Sequence, residues 1–256
     1  MKKLGKIGVQ LWTVKDFMKS EEEIKETFQR IKSMGYDQVQ TARCPIPYET
    51  FGVLAAEAGL EIVGTHDDFN LMCEDFDRAY ENHRLLHTKL MGIGGFGFGN
   101  HEDNNIYEDF VKKANAVGEK IAEKGGRFTY HNHSHEFVVL KNGKTGMEIL
   151  VEGLNPRTTS FVLDTYWVQH GGGDVRHWID RLAGRIDILH LKDMRIRPDG
   201  THAFAEVGSG NLYWEGILES AEAAGVAYYI VEQDVCDGDP FESLQKSSEY
   251  LHKNFM

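Results

Sequence analysis

Short apolar runs alternate with helical patterns eight times along this chain, and that alternation restricts the fold more than any other feature. Runs of β-branched and aromatic residues near 5–12, 36–41, 61–66, 88–94, 127–133, 159–166, 186–192 and 226–233 read as buried strands. Between them lie segments with helical spacing. Ser20-Glu21-Glu22-Glu23 opens the first, with Ser20 as cap and Glu23 at the third helical position. Ile24, Phe28, Ile31 and Met34 follow at helical spacing, and Gly35 stops the run. The same logic predicts helices near 46–58, 73–86, 105–124, 145–153, 174–183, 213–224 and 241–253, several ended by a glycine (Gly59, Gly125, Gly225). Strand then helix, eight times over, predicts an α/β fold: one (β/α)8 TIM barrel domain spanning residues 1–256.

The rival is a doubly wound open sheet, which usually carries a glycine-rich nucleotide turn after its first strand. Here the first strand runs into Gln10-Leu11-Trp12-Thr13-Val14-Lys15. The run from Gly92 to Gly99 has GxGxxG-like spacing but leads into Asn100-His101-Glu102-Asp103 rather than directly into a helix. It reads as a flexible rim loop, not a phosphate cradle.

Three of the later apolar runs end on a residue able to bind a metal. Phe161-Val162-Leu163 ends on Asp164, Ile186-Asp187-Ile188-Leu189 on His190, and Tyr228-Tyr229-Ile230-Val231 on Glu232. In an α/β barrel the C-terminal ends of the strands form the rim where chemistry is done. Asp164 can also cap the next helix. A lone histidine is more often a satisfied core or rim residue, but the place of His190 on the strand after Asp164 favours a ligand. Buried carboxylates are costly unless paired or coordinated, which favours the same role for Glu232. Such oxygen and nitrogen donors suit Mg, Mn, Co or Zn better than a thiolate site would.

The densest polar cluster is Tyr130-His131-Asn132-His133-Ser134-His135-Glu136-Phe137. In a strand, His131, His133 and His135 would share one face, and they cannot all bind one ion once the strand ends. One or two of them then touch substrate; the bland alternative is a surface histidine cluster. His66 either contacts a substrate hydroxyl or stands beside the helix-capping Asp67 and Asp68. Lys192 donates to a substrate oxygen, serves as an acid or base if a metal lowers its pKa, or pairs with Asp193. Arg195 reads as a solvated loop charge that could also reach a substrate oxygen. Trp12 and Trp167 fall at strand ends, where they offer flat faces to a sugar ring or pack in the core. Residues 205–214 read as a rim turn leading into the seventh helix.

A formal charge of −12 opposes a nucleic-acid surface, which needs a concentrated basic face. No apolar stretch is long enough to span a membrane. The N-terminus runs into a strand instead of a cleavable apolar segment, an expectation of a cytoplasmic protein. The cysteines, Cys44, Cys73 and Cys236, are far apart and in no ligand spacing, as free thiols in a reducing compartment would be.

The motifs "LDTYW", "HLKD", "VGSGNLYW" and "IVEQD", in that order after "YHNHSHEF", resemble the sugar phosphate isomerase/epimerase group of xylose isomerase-like barrels. The resemblance runs from "IGVQLWTV" at the first strand to "IVEQD" at the eighth. It implies a divalent ion, manganese first, held after strands five to eight by His131, Asp164, His190 and Glu232. It further implies a keto sugar or related polyol as substrate and an enediolate intermediate, with Glu232 as first-choice base and His133, Glu136 or Lys192 returning the proton. Many epimerases of the group carry a glutamate at the strand-five position, facing the strand-eight glutamate across the substrate. This chain has His131 there, so either the histidine replaces that ligand or Glu136 reaches back. Branches with a "YHNH" strand five resemble keto-inositol dehydratases and enzymes acting on oxidised glycosides. A lyase is therefore the alternative to an isomerase or epimerase, and a sugar-binding barrel without catalysis is a further one. A DNA-repair endonuclease is opposed by the charge and by missing additional ligands. Self-association into a homo-oligomer is left open by the sequence.

Overall fold

The protein is described by a computed structural model covering residues 3–97 and 103–256. Eight parallel strands close into a barrel: β1 (Gly8–Gln10), β2 (Gln38–Thr41), β3 (Glu61–His66), β4 (Leu90–Ile93), β5 (Arg127–His131), β6 (Thr159–Asp164), β7 (Ile186–Leu191) and β10 (Tyr228–Val231). The remaining strands, β8 (Asp193–Ile196) and β9 (His202–Ala205), form an antiparallel hairpin after β7. Gly8 closes the ring, in register with Ile230 on one side and Gln38 on the other.

The helices are α1 (Glu21–Ser33), α2 (Tyr48–Glu57), α3 (Phe69–Glu74), α4 (Phe76–Arg84), α5 (Asn104–Glu123), α6 (Gly146–Gly153), α7 (Thr165–His170), α8 (Val175–Arg181), α9 (Trp214–Ala224) and α10 (Pro240–Phe255). Local sequence sets their ends. The Ser20 hydroxyl accepts from the Glu23 N–H, and Ile24, Phe28 and Ile31 form the buried face of α1. Thr145 and Glu148 make a reciprocal capping box at α6. Gly225 ends α9 at φ 78°, a left-handed conformation that glycine adopts without strain.

Every expected strand is present, the third with the expected bounds and the other seven shorter. The helix expected near 73–86 is broken: Asp75 leaves helical geometry (φ −143°, ψ 73°) and its carboxylate caps α4 by accepting from the Arg78 N–H. The sequence did not anticipate the 3-10 helix at Leu11–Phe17, α7 or the β8–β9 hairpin; the first two begin within the expected strands 5–12 and 159–166. The glycine run enters the barrel wall at Gly92, where a Cβ would lie 1.9 Å from Thr129 Oγ1. Only glycine allows β4 and β5 to approach so closely. Its continuation, Phe98 to Glu102, lies outside the described residues, as do Met1 and Lys2.

Two apolar layers hold the barrel. The larger lies between strands and helices. The smaller, Val63, Leu90, Val162, Ile188 and Ile230, fills the barrel interior. Side chains two apart on a strand share a face, so Val162, Ile188 and Ile230 place Asp164, His190 and Glu232 one pleat above this plug. Asp164 is in register with His190, and His190 with Ile230, which makes the three strands adjacent. No helix among the described residues is long and apolar enough to cross a membrane.

Candidate metal centre

His131, Asp164, His190 and Glu232 converge at the C-terminal mouth of the barrel, all buried. His131 Nε2 lies 3.3 Å from Asp164 Oδ2 and 4.0 Å from Glu232 Oε2; His190 Nδ1 lies 3.6 Å and 2.9 Å from the same two oxygens. Ligand atoms around one divalent ion, at bond lengths of about 2.0–2.2 Å, stand roughly 3–4 Å from one another. The observed spacings fall in that range.

Both imidazoles are oriented for ligation. His131 Nδ1 is 3.1 Å from the Gly94 carbonyl and His190 Nε2 is 2.6 Å from Gln40 Oε1. Each ring can donate its N–H to that neutral acceptor and turn its other nitrogen, as a lone pair, toward the carboxylates. His190 Nδ1 is buried and makes no directed hydrogen bond despite the nearby Glu232 oxygen. A buried nitrogen without a hydrogen-bond partner, facing two carboxylate oxygens, fits the role of a metal ligand.

Lys192 completes the electrostatics. Its Nζ lies 3.2 Å from Asp164 Oδ2, 3.0 Å from Glu232 Oε2 and 2.8 Å from Asp234 Oδ1, with the side chain 1% exposed. Three carboxylates against one ammonium leave two negative charges, which a divalent ion cancels. Burial alone would lower the Lys192 pKa, but Asp164, Glu232 and Asp234 raise it well above the ordinary lysine value. Burial would raise Asp164 and Glu232, yet Lys192 and the histidines hold both below the usual carboxylate range. Asp234 goes the other way: burial, then Glu232, raise it against the pull of Lys192. His190 is raised, because its carboxylate neighbours outweigh the burial that would lower it.

A cleft of about 700 Å³ opens over the centre. Of the residues singled out by sequence, Trp12, His66, His131, His133 and Glu232 line it. Asp164, His190 and Lys192 lie buried behind its wall. His133 is a neutral imidazole there, its pKa lowered to about 3 by burial and by His131. Both ring nitrogens of His66 are 3.1 Å from glutamine amides, of Gln10 and Gln40. It therefore presents its ring face and carbon edge to the cleft.

Glu136 is fully buried, accepting from Tyr130 Oη at 2.7 Å and from the His133 N–H at 2.9 Å. It braces the loop that holds His133. Trp167 packs on His133, Tyr166 and Phe204, with Lys192 Nζ 5.2 Å from its ring, and does not line the cleft. Arg195 is ion-paired with Asp237 on the exposed hairpin. Asp193 does not pair with Lys192. It faces the opposite way and accepts from the N–H groups of Gly208, Gly210 and Leu212 and from Trp214 Nε1.

Sequence reasoning passed over Gln10, Gln40, Asn132 and Asp234. Asn132 Oδ1 accepts from the Asp164 N–H at 2.9 Å and fixes the backbone at Asp164. Asp234 carried a signal, since it lies two residues beyond Glu232; Gln10 and Gln40, amides within strands, carried none.

The profile of the xylose isomerase-like TIM barrel matches residues 28–253. The chain belongs to this family. Among curated relatives it is 28% identical over 158 residues to an inosose dehydratase of Geobacillus thermodenitrificans (strain NG80-2), covering 54% of this chain and 51% of that protein. An inosose dehydratase of Lacticaseibacillus casei is 26% identical over 170 residues, covering 59% and 55%. The chain thus spans about half the length of the curated relatives it matches. A solved sugar phosphate isomerase/epimerase of Parabacteroides distasonis ATCC 8503 superposes with a TM-score of 0.84 at 22% identity, covering 98% of this chain and 96% of the other. That superposition shows a shared eight-stranded α/β barrel fold.

Proposed function

We propose that this protein is a divalent-metal-dependent lyase that removes the acidic hydrogen beside a ketone in a cyclic polyol or sugar and expels a neighbouring hydroxyl as water. The observation that carries this reading is the uneven charge across the cleft. Glu232 and Asp234, following β10, supply carboxylates; the β5 side supplies the imidazoles of His131 and His133. Symmetric epimerisation needs a base on each face of one carbon, and the β5 side offers no carboxylate to the cleft, because Glu136 is turned into the protein.

When bound by His131, Asp164, His190 and Glu232, a divalent ion supplies the positive charge that stabilises a developing enolate oxygen. Of the two carboxylates, Asp234 is the better base, since its pKa is raised where that of Glu232 is held down. Lys192 stays protonated and neutralises one carboxylate charge. Neutral His133 is placed to hydrogen-bond the departing hydroxyl, and Trp12 offers its ring to the apolar face of the substrate. The carbon-bound hydrogen leaves as a proton to the Asp234 carboxylate, the resulting carboxylic acid returns that proton to the departing hydroxyl, and one water is lost. The sequence relatives named inosose dehydratases support this choice.

Charge also argues for an unphosphorylated substrate. Arg43 is the one lysine or arginine among the described residues lining the cleft, against Asp67, Asp68, Glu232 and Asp234. The backbone N–H groups after the hairpin, where barrels often bind phosphate, already hold the Asp193 carboxylate.

Incubation of the manganese-loaded protein with keto-inositols and keto sugars, read by mass spectrometry in deuterated water, tests the proposal. The expected product is lighter than its substrate by one water. A product of unchanged mass apart from deuterium at carbon assigns an isomerase or epimerase instead. Binding with neither exchange nor product leaves a sugar-binding barrel.

A further inference from the structure

Gln40, at the end of β2, is fully buried and joins the ligand His190 to the cleft wall. Its Oε1 lies 2.6 Å from His190 Nε2 and accepts from Gln10 Nε2 at 3.1 Å. Its Nε2 lies 3.1 Å from His66 Nε2. Gln10 in turn places Nε2 3.1 Å from His66 Nδ1 and accepts the Trp12 N–H on its own Oε1.

A neutral imidazole has one N–H and one lone pair, so the amide it meets decides which nitrogen carries the proton. With Oε1 toward it, His190 keeps its proton on Nε2 and turns the Nδ1 lone pair to the centre. With the amide reversed, the proton would stand on Nδ1, 2.9 Å from Glu232 Oε2, and no lone pair would face an ion. The observed orientation has a local cost. Both nitrogens of His66 then face amide N–H groups, and a neutral ring can accept only one of them. That cost is carried at His66, in the cleft wall, while the ligand is satisfied.

We propose that Gln40 is the positioning residue that fixes which nitrogen of His190 is offered to a metal ion, with Gln10 and His66 as its supporting partners. A glutamate at this position would satisfy the same N–H, but it would leave three negative charges around a divalent ion instead of two. Glutamine fixes the tautomer without adding charge.

The test uses the full chain, zinc as the probe ion, and nitrogen-15 spectra of the histidine rings beside zinc affinity measured against a chromophoric chelator. In the zinc-loaded wild type, His190 should show a proton on Nε2 and zinc on Nδ1. Gln40→Met, similar in shape without an acceptor, should weaken zinc binding by about 10–100-fold. Gln40→Glu should bind at least as tightly as the wild type, and Gln10→Met should lose less than Gln40→Met. Zinc on Nε2 of wild-type His190 overturns the proposal without any substitution. So does a Gln40→Met protein that binds zinc within about twofold of wild type, or equal losses in the Met and Glu variants, which would mark Gln40 as mere packing.

Discussion

Lys192 is the residue on which most of the local energetics turn. Removing one partner from a buried ion-pair network leaves uncompensated charge and costs about 3–5 kcal/mol. Lys192→Met should therefore destabilise the metal-free protein by that order in denaturant melts, and added divalent ion should recover part of the loss. An unchanged midpoint would mean the ammonium is not a counter-ion. The histidines set a pH dependence of definite sign. His133 and His66 are lowered in the fold, by burial first, so the unfolded chain binds more protons below about 6.5 and metal-free stability falls with pH there, by roughly 1.4 kcal/mol per unit for each group. His190 is raised, so its contribution is complete below about 6.5 and is lost as pH rises through its folded value. Melting temperature of the metal-free protein should peak near pH 6.5, and a profile that climbs steadily through neutrality would contradict these assignments. The convergence of Asp164 and His190 was legible because each closes an apolar run and repeats the strand's period of two. Gln40 and Gln10 were not, because an amide within a strand announces no chemistry until its partner's proton is located.

At the scale of elements, the strands were legible from their β-branched and aromatic runs, and their bounds less so, since apolar residues continue beyond the last ladder bond. The break at Asp75 was hidden because the apolar pattern passes through it. The hairpin was hidden because Arg195-Ile196-Arg197-Pro198-Asp199-Gly200 reads as a loop and its pairing is local. What anchors the segment after the hairpin is a single carboxylate. Asp193 gathers the N–H groups of Gly208, Gly210 and Leu212 with Trp214 Nε1, and a Cβ on Gly210 would stand 2.2 Å from Asp193 Oδ1. Asp193→Ala should cost about 2–3 kcal/mol, chiefly through the buried indole N–H. Hydrogen exchange should quicken across residues 206–214 while the strands stay protected. Uniform protection in the variant would show that packing, not this carboxylate, orders the segment.

For the molecule as a whole, an ion bound only by the folded state adds stability by mass action, about 2.7 kcal/mol at a hundredfold excess over its Kd. A chain of this size shifts by roughly 2–4 °C per kcal/mol. Chelation should thus lower the melting temperature of the manganese-loaded protein by several degrees, and Asp164→Asn should abolish that difference. A chelator effect that survives Asp164→Asn would place the ion elsewhere. The apolar plug of Val63, Leu90, Val162, Ile188 and Ile230 bears on the fate of hydrogen in any reaction above it. An apolar floor of this kind disfavours water, so a proton lifted from carbon exchanges chiefly by way of the mouth, which a bound substrate itself obstructs. Isotope retained in a turnover then becomes a clock: the slower the mouth clears, the more of the original hydrogen stays with the molecule that left it.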